Sequence, residues 1–202
     1  MIAHAWWGMV LMSSTNAHYS SADQAILRKL AFTSIQHGQS YGRLLRINCD
    51  LYPDALLVQR ACFVTLELDK HLRGCIGHLS AQQPLIQDVV QNAYAAAFQD
   101  PRFAPLSASE FTRITLDISV LSEPQPLPYR DREDLLQQLQ PGIDGLILSS
   151  ADGHRGTFLP SVWKSLPQAD TFLDALVCKA GLPAGYWSDD LQIERYHTDL
   201  IH

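Results

Sequence analysis

The segment Ala61-Cys62-Phe63-Val64-Thr65-Leu66-Glu67-Leu68-Asp69-Lys70-His71-Leu72-Arg73-Gly74-Cys75-Ile76-Gly77-His78-Leu79 decides the fold class. Cys62, Val64, Leu66 and Leu68 alternate with Phe63, Thr65 and Glu67, which is the period of a strand with one wholly apolar face. Asp69-Lys70-His71 is a polar break, and Leu72–Leu79 returns, so the segment reads as a β-hairpin. In the returning strand Leu72, Gly74, Ile76 and His78 point one way and Arg73, Cys75, Gly77 and Leu79 the other. Simple alternation therefore predicts that Arg73 and Cys75 share a face.

Outward from the hairpin, Ser21-Ala22-Asp23-Gln24 has capping-box spacing, and Ile26, Leu27, Leu30, Ala31 and Ile35 recur at helical period. This predicts a helix over Ala22–His37, stopped by Gly38, followed by a long ordered connection over residues 38–60. A second helix runs from Pro84 to Asp100 and ends at Pro101. Ile114, Leu116, Ile118 and Val120 form a half-buried strand. Leu121–Tyr129, with prolines at 124, 126 and 128, reads as a rigid extended connection or sheet edge. A short helix is capped at Asp131. Gly145–Ser150 and Arg155–Leu159 flank Asp152-Gly153 as a second hairpin, Thr171–Ala180 is helical, and Leu191–His197 alternates like a strand. Two hairpins plus separate strands, with helices not strictly alternating between them, predict an α+β fold: a largely antiparallel sheet flanked by helices.

Composition narrows the class. The chain has 202 residues, 47% of them hydrophobic and 18% charged, which places it among globular domains with a sizeable core. We read residues 19–202 as a single domain. Residues 1–18 read as an extension outside the fold, with Met9 and Met12 as alternative starts; its apolar stretch Ile2–Met12 is too short to span a bilayer and lacks a basic n-region. Fifteen Lys and Arg against 21 Asp and Glu give a net charge of −6, and no basic tract exists. Nucleic acid and membrane are thus disfavoured as partners. The four cysteines are scattered without a CxxC, so reduced thiols and a cytoplasmic location are expected.

The chemistry concentrates in Leu72-Arg73-Gly74-Cys75-Ile76-Gly77. Glycine inside a strand marks a bulge or a close approach to the backbone. A guanidinium at Arg73, on the thiol's face, would favour the thiolate of Cys75 and prepare a nucleophile. The competing reading makes Cys75 a small buried hydrophobe, with Arg73 paired to a carboxylate elsewhere. Cys75 and His78 are three apart, hence on opposite faces of a regular strand, and no second pair completes a zinc site, so no metal ligand set is assigned. His71, His78 and His154 lie in or beside turns, where one of them could serve Cys75 as a base. Asp100-Pro101-Arg102-Phe103, just past a helix end, is either a helix stop with a local Asp–Arg contact or an anion site. The nucleotide, zinc-protease and serine-hydrolase signatures are missing.

These motifs, with Phe63-Val64-Thr65-Leu66, Pro84-Leu85, Ala95-Ala96-Ala97-Phe98, Pro105-Leu106, Ser119-Val120-Leu121, Gly156, Leu159-Pro160 and Lys179-Ala180-Gly181-Leu182, resemble the AMMECR domain family, whose bacterial members are called AmmeMemoRadiSam system protein A. The match runs in order from about residue 21 to 197. The resemblance implies an α+β protein of two unequal lobes around an antiparallel sheet. It implies partners in a Memo-like protein, similar to extradiol dioxygenases, and a radical-SAM protein. It also implies that Arg73, Gly74, Cys75, Ile76 and Gly77 form the functional segment.

Two functions follow. In the first, Cys75 attacks or holds an electrophilic small molecule and Arg73 activates the thiol or binds a substrate anion. Backbone amides around Gly74 and Gly77 would approach the substrate, and Ile76, Asp100, Arg102 and His154 would help to bind it. In the second, the same groove is a non-catalytic adaptor surface for a partner protein. A transient iron or copper site at Cys75 and a turn histidine is a third, weaker reading. Neither the residues nor the resemblance specify a cofactor.

Overall fold

The computed structural model describes residues 19–202; the expectations for residues 1–18 lie outside them. Helix α1 spans Ser21–Tyr41. Its capping box is Ser20 with Asp23, one residue earlier than the Ser21 spacing suggested, the Ser20 hydroxyl accepting from the Asp23 amide. It does not stop at Gly38. A Cβ there would sit 2.4 Å from the Phe98 ring and 2.8 Å from Tyr94, so this glycine lets α1 lie close against the next helix. The helix ends at Gly42, in the left-handed conformation with φ 65°.

The hairpin forms, antiparallel, with β1 at Cys62–Leu68 and β2 at His71–Gly77, so the returning strand starts one residue before and ends two residues before the expected Leu72–Leu79. Its turn is the pair Asp69-Lys70, with φ 52° and 68°, the doubly positive conformation that suits a right-twisted two-residue hairpin. A lysine held there is strained. Lys70→Gly is expected to raise stability by about 0.5–1 kcal/mol and Tm by about 2 °C in a thermal melt.

After β2, α2 covers Leu85–Phe98, α3 is the single turn Ala108–Phe111, and β3 is Ile114–Leu121. Then come β4 (Gln125–Pro126), α4 (Arg132–Gln138), β5 (Gly145–Ser149) and β6 (Arg155–Phe158). Helix α5 (Ala169–Lys179) and strands β7 (Gln192–Tyr196) and β8 (Thr198–Ile201) complete the order. The fold is α+β, with two antiparallel four-stranded sheets rather than one: β2-β1-β3-β8 and β4-β7-β5-β6.

Each sheet covers its own core. Val64, Leu66, Leu116 and Ile118 of the first sheet bury against Leu27, Ile35, Val89 and Ala93 of α1 and α2. Leu146, Leu148 and Ile193 of the second bury against Phe172, Leu176 and Trp163. A third small cluster, Ala61, Leu121, Ile147 and Tyr196 with Phe63 packed on it, joins the sheets by the faces that carry no helices. The chain passes between the sheets at Ser122 and at His197, and the two crossings are tied together: Ser122 N–H donates to the His197 carbonyl, and His197 N–H to Ser122 Oγ, each at 2.9 Å. The strand expected over Leu191–His197 thus ends one residue early, because His197 is the crossing after which β8 joins the other sheet.

Candidate functional site around Cys75

The register of the hairpin decides what Cys75 faces. From the turn, Leu68 pairs with His71 and Glu67 with Leu72; then a bulge intervenes, Leu66 pairs with Gly74 and Thr65 with Cys75. Without the extra residue Cys75 would stand opposite Val64, on the face covered by the helices. The bulge turns it outward. Cys75 is half-buried on the face bare of helices, and Thr65 Oγ1 donates to its sulfur at 3.3 Å. Across Thr65 stands Asp117, which His202 Nδ1 contacts at 2.9 Å. The outer face therefore carries a polar row, Cys75, Thr65, Asp117, His202, that sequence reasoning missed because the register hangs on the bulge.

The bulge also takes up Arg73, which has no cross-strand partner. This corrects the expectation that Arg73 attends the thiol. Its Nε and Nη2 donate to the two carboxylate oxygens of Glu110 at 2.8 and 3.1 Å, and Nη2 also donates to the Ala104 carbonyl at 2.9 Å. The alternative reading, a carboxylate partner elsewhere, is the observed one. This bidentate guanidinium, together with the Ser107 amide and hydroxyl, holds the Glu110 carboxyl down at about 2.

The two glycines answer to packing. A Cβ on Gly74 would lie 2.1 Å from the Ala96 carbonyl oxygen of α2, and one on Gly77 2.4 Å from both the Phe63 ring and the Cys62 carbonyl oxygen. Close packing alone therefore accounts for both glycines. Ile76 likewise packs on the core under α2, and so does not line the face where the thiol stands.

Asp100 and Arg102 do reach Cys75, but through its backbone. Strand β2 is the outermost strand of its sheet, and an unpaired edge leaves main-chain groups open. Asp100 Oδ2 accepts from the Cys75 N–H at 2.9 Å, and Arg102 Nη2 donates to the Cys75 carbonyl at 3.2 Å. Arg102 also grips Asp100 through Nε and Nη2 at 2.9 and 2.7 Å. Together the pair stands in for a missing strand. The Arg102 contacts hold the Asp100 carboxyl well below the usual carboxylate range, against the cost of burial. The Phe103 ring lies under both guanidinium groups, 5.7 Å from that of Arg73 and 5.5 Å from that of Arg102.

The histidines go elsewhere. His71 Nδ1 meets the Asp69 carbonyl, and His78 Nδ1 meets the buried carboxylate of Asp88 at 3.3 Å. His154 sits in the β5–β6 turn on the other sheet, against the Ala180 carbonyl, so it is not brought to Cys75. Among the described residues no three His, Cys, Asp or Glu side chains are grouped to hold a metal ion.

The chain matches the AMMECR1 family model over residues 28–201. The chain belongs to the AMMECR1 family. A Methanothermobacter thermautotrophicus protein is 35% identical over 182 residues, covering 87% of this chain and 92% of its own. A Saccharolobus islandicus protein, LS215_2104, is 37% identical over 162 residues, covering 77% and 71%. In three dimensions the AMMECR1 chain is similar to the crystal structure of uncharacterized protein PH0010 from Pyrococcus horikoshii, with a TM-score of 0.77 at 28% identity, over 88% of this chain and 89% of that one. Among the described residues no helix of this AMMECR1 member is long and apolar enough to cross a membrane.

Proposed function

We propose that this AMMECR1-family protein is an enzyme, or a component of an enzyme system, in which Cys75 attacks or holds an electrophilic small molecule. One observation carries the reading. Of the five residues Arg73–Gly77, four are used by the fold, the arginine on Glu110, the glycines on close packing and Ile76 on the core; only the thiol is turned away from the core. The fold nevertheless fixes that residue by its N–H, its carbonyl and its sulfur at once. Such over-determination is what a preorganised reacting group needs. Thr65 aims its hydroxyl proton at the sulfur, an interaction that suits an attacking thiolate. In the attack the thiol gives its proton to water, the sulfur lone pair forms a bond to an unsaturated electrophilic carbon, and the π pair of that carbon moves to its neighbouring atom, which takes up a proton from water.

We place the protein in the AmmeMemoRadiSam system, beside Memo-like and radical-SAM partners, on the strength of the family. Four free cysteines support a reducing, cytoplasmic setting.

Alkylation tests the reading with a reference inside the same molecule, because Cys178 is exposed and Cys62 fully buried. With limiting iodoacetamide near neutral pH, site-resolved mass spectrometry is expected to show Cys75 labelled about tenfold faster than Cys178, despite its lower exposure. Equal or slower labelling of Cys75 would remove the nucleophile. The commitment of Arg73 to Glu110 favours the second reading, an adaptor surface. There, Cys75→Ser would leave co-purification of the Memo-like and radical-SAM proteins and the output of the system intact, whereas the enzymatic reading expects output to be lost with binding retained.

A further inference from the structure

Where the two sheets part beyond their Phe63 contact, a cleft of about 610 Å3 opens between them. Its floor is apolar: Ala61 and Leu121 are buried in the cluster that joins the sheets, and Leu79 packs on it. Its walls carry four charges, Arg60 and Glu123 from the first sheet's side, Arg155 and Glu194 from the second. Arg155 and Glu194 stand 3.9 Å apart and answer each other. Arg60 and Glu123 do not. Arg60 donates Nη1 to the Gln59 carbonyl at 3.2 Å and meets the Tyr19 hydroxyl, but makes no ion pair among the described residues. Glu123 has neither hydrogen bond nor ion pair among them. Both also line an adjoining cleft of about 230 Å3, which puts them on the wall the two clefts share.

A site with one guanidinium and one carboxylate that have no ion pair among the described residues, over an apolar floor, discriminates in a definite way. A simple anion gains Arg60 but faces Glu123, and a simple cation the reverse. A small molecule carrying both charges at one end and an apolar body at the other satisfies all three. The volume suits it, since small-molecule sites span about 300–1,000 Å3.

We propose that the inter-sheet cleft binds a free α-amino acid with an apolar side chain, its carboxylate on Arg60, its ammonium on Glu123 and its side chain over Leu79 and Leu121. Two charge-assisted contacts and the buried side chain supply the affinity. The site is separate from Cys75, and its occupancy does not depend on a reactive thiol.

Isothermal titration calorimetry with L-leucine, L-leucinamide and 4-methylpentanoate tests this. Leucine is expected to bind saturably. The amide, which lacks the carboxylate, and the acid, which lacks the ammonium, are each expected about tenfold weaker or more. Glu123→Gln, at an exposed position, is expected to bring leucine down to the affinity of 4-methylpentanoate while leaving 4-methylpentanoate no weaker. Arg60→Gln is expected to bring leucine down to the affinity of leucinamide. Absence of leucine binding up to about 10 mM, or 4-methylpentanoate binding as tightly as leucine, would overturn the proposal.

Discussion

Gly74→Ala is expected to lower the stability of this protein by about 3 kcal/mol or more, enough to depress Tm by roughly 6–12 °C. The added methyl would meet the Ala96 carbonyl oxygen at 2.1 Å and its carbon at 3.0 Å. Both are backbone atoms of α2, so no side chain can swing aside. Relief requires α2 to lift from the sheet, and α2 carries Leu85, Ile86, Val89, Val90 and Ala93 into the core. Lifting it would open voids under the whole first sheet. The companion measurement is Cys75→Ala, one residue away on the opposite face, which removes a half-buried thiol whose side-chain hydrogen bond among the described residues is with the Thr65 hydroxyl. It is expected to cost about 1 kcal/mol or less. Thermal unfolding followed by circular dichroism compares the two. Similar losses for both would mean that Cys75 is as structural as its neighbour, and the functional reading of the thiol would lose its support.

That contrast also shows which parts of the site could be read from the residues. Period-two alternation in Cys62–Leu68 and Ile114–Val120 put the correct faces into the core, because a strand buried on one side must alternate. The split into two sheets was not visible. The chain changes sheet at Ser122 and His197 without a long linker, and the alternation over Leu191–His197 gives no sign that Thr198–Ile201 forms a further strand in the other sheet. In the site itself the deciding event is the single extra residue at Arg73. The turn alone sets Cys75 opposite Val64, and only the bulge sets it opposite Thr65 and frees Arg73 for Glu110. A signal existed in Gly74, since a strand glycine marks a bulge or a close approach, and here it marks both. Glu110 carried no comparable signal. It belongs to a one-turn helix far along the chain, and nothing in its local sequence says that it will meet an arginine on a sheet edge.

Asp100→Asn is expected to destabilise the protein by about 2–3 kcal/mol at neutral pH, with the deficit shrinking as the solution is acidified. The Asp100 carboxylate, buried except for 2% of its side chain, accepts from the Cys75 amide, the Arg102 amide and two guanidinium nitrogens of Arg102. An asparagine offers one acceptor oxygen in place of two and turns an NH2 group toward donors, so at least one buried N–H is left without a partner. Because Arg102 is half-exposed, water recovers part of the loss on its side. The sign of the pH effect follows from the carboxyls. Asp100 is held below its ordinary 3.8, and Glu110 falls from 4.5 to about 2. A carboxyl depressed in the folded state contributes stability that is complete above its unfolded value and is lost as pH falls toward the folded one. The native chain should therefore hold a flat Tm above about pH 5 and lose it progressively down to about pH 2. The Asp100→Asn variant, already without one of these two charges, should lose less over the same range, so the two melting curves converge in acid. A gap that stays constant from neutral pH to about pH 2 would assign the loss to shape rather than charge, and the role of the Asp100–Arg102 pair as an electrostatic clamp on the Cys75 backbone would fall with it.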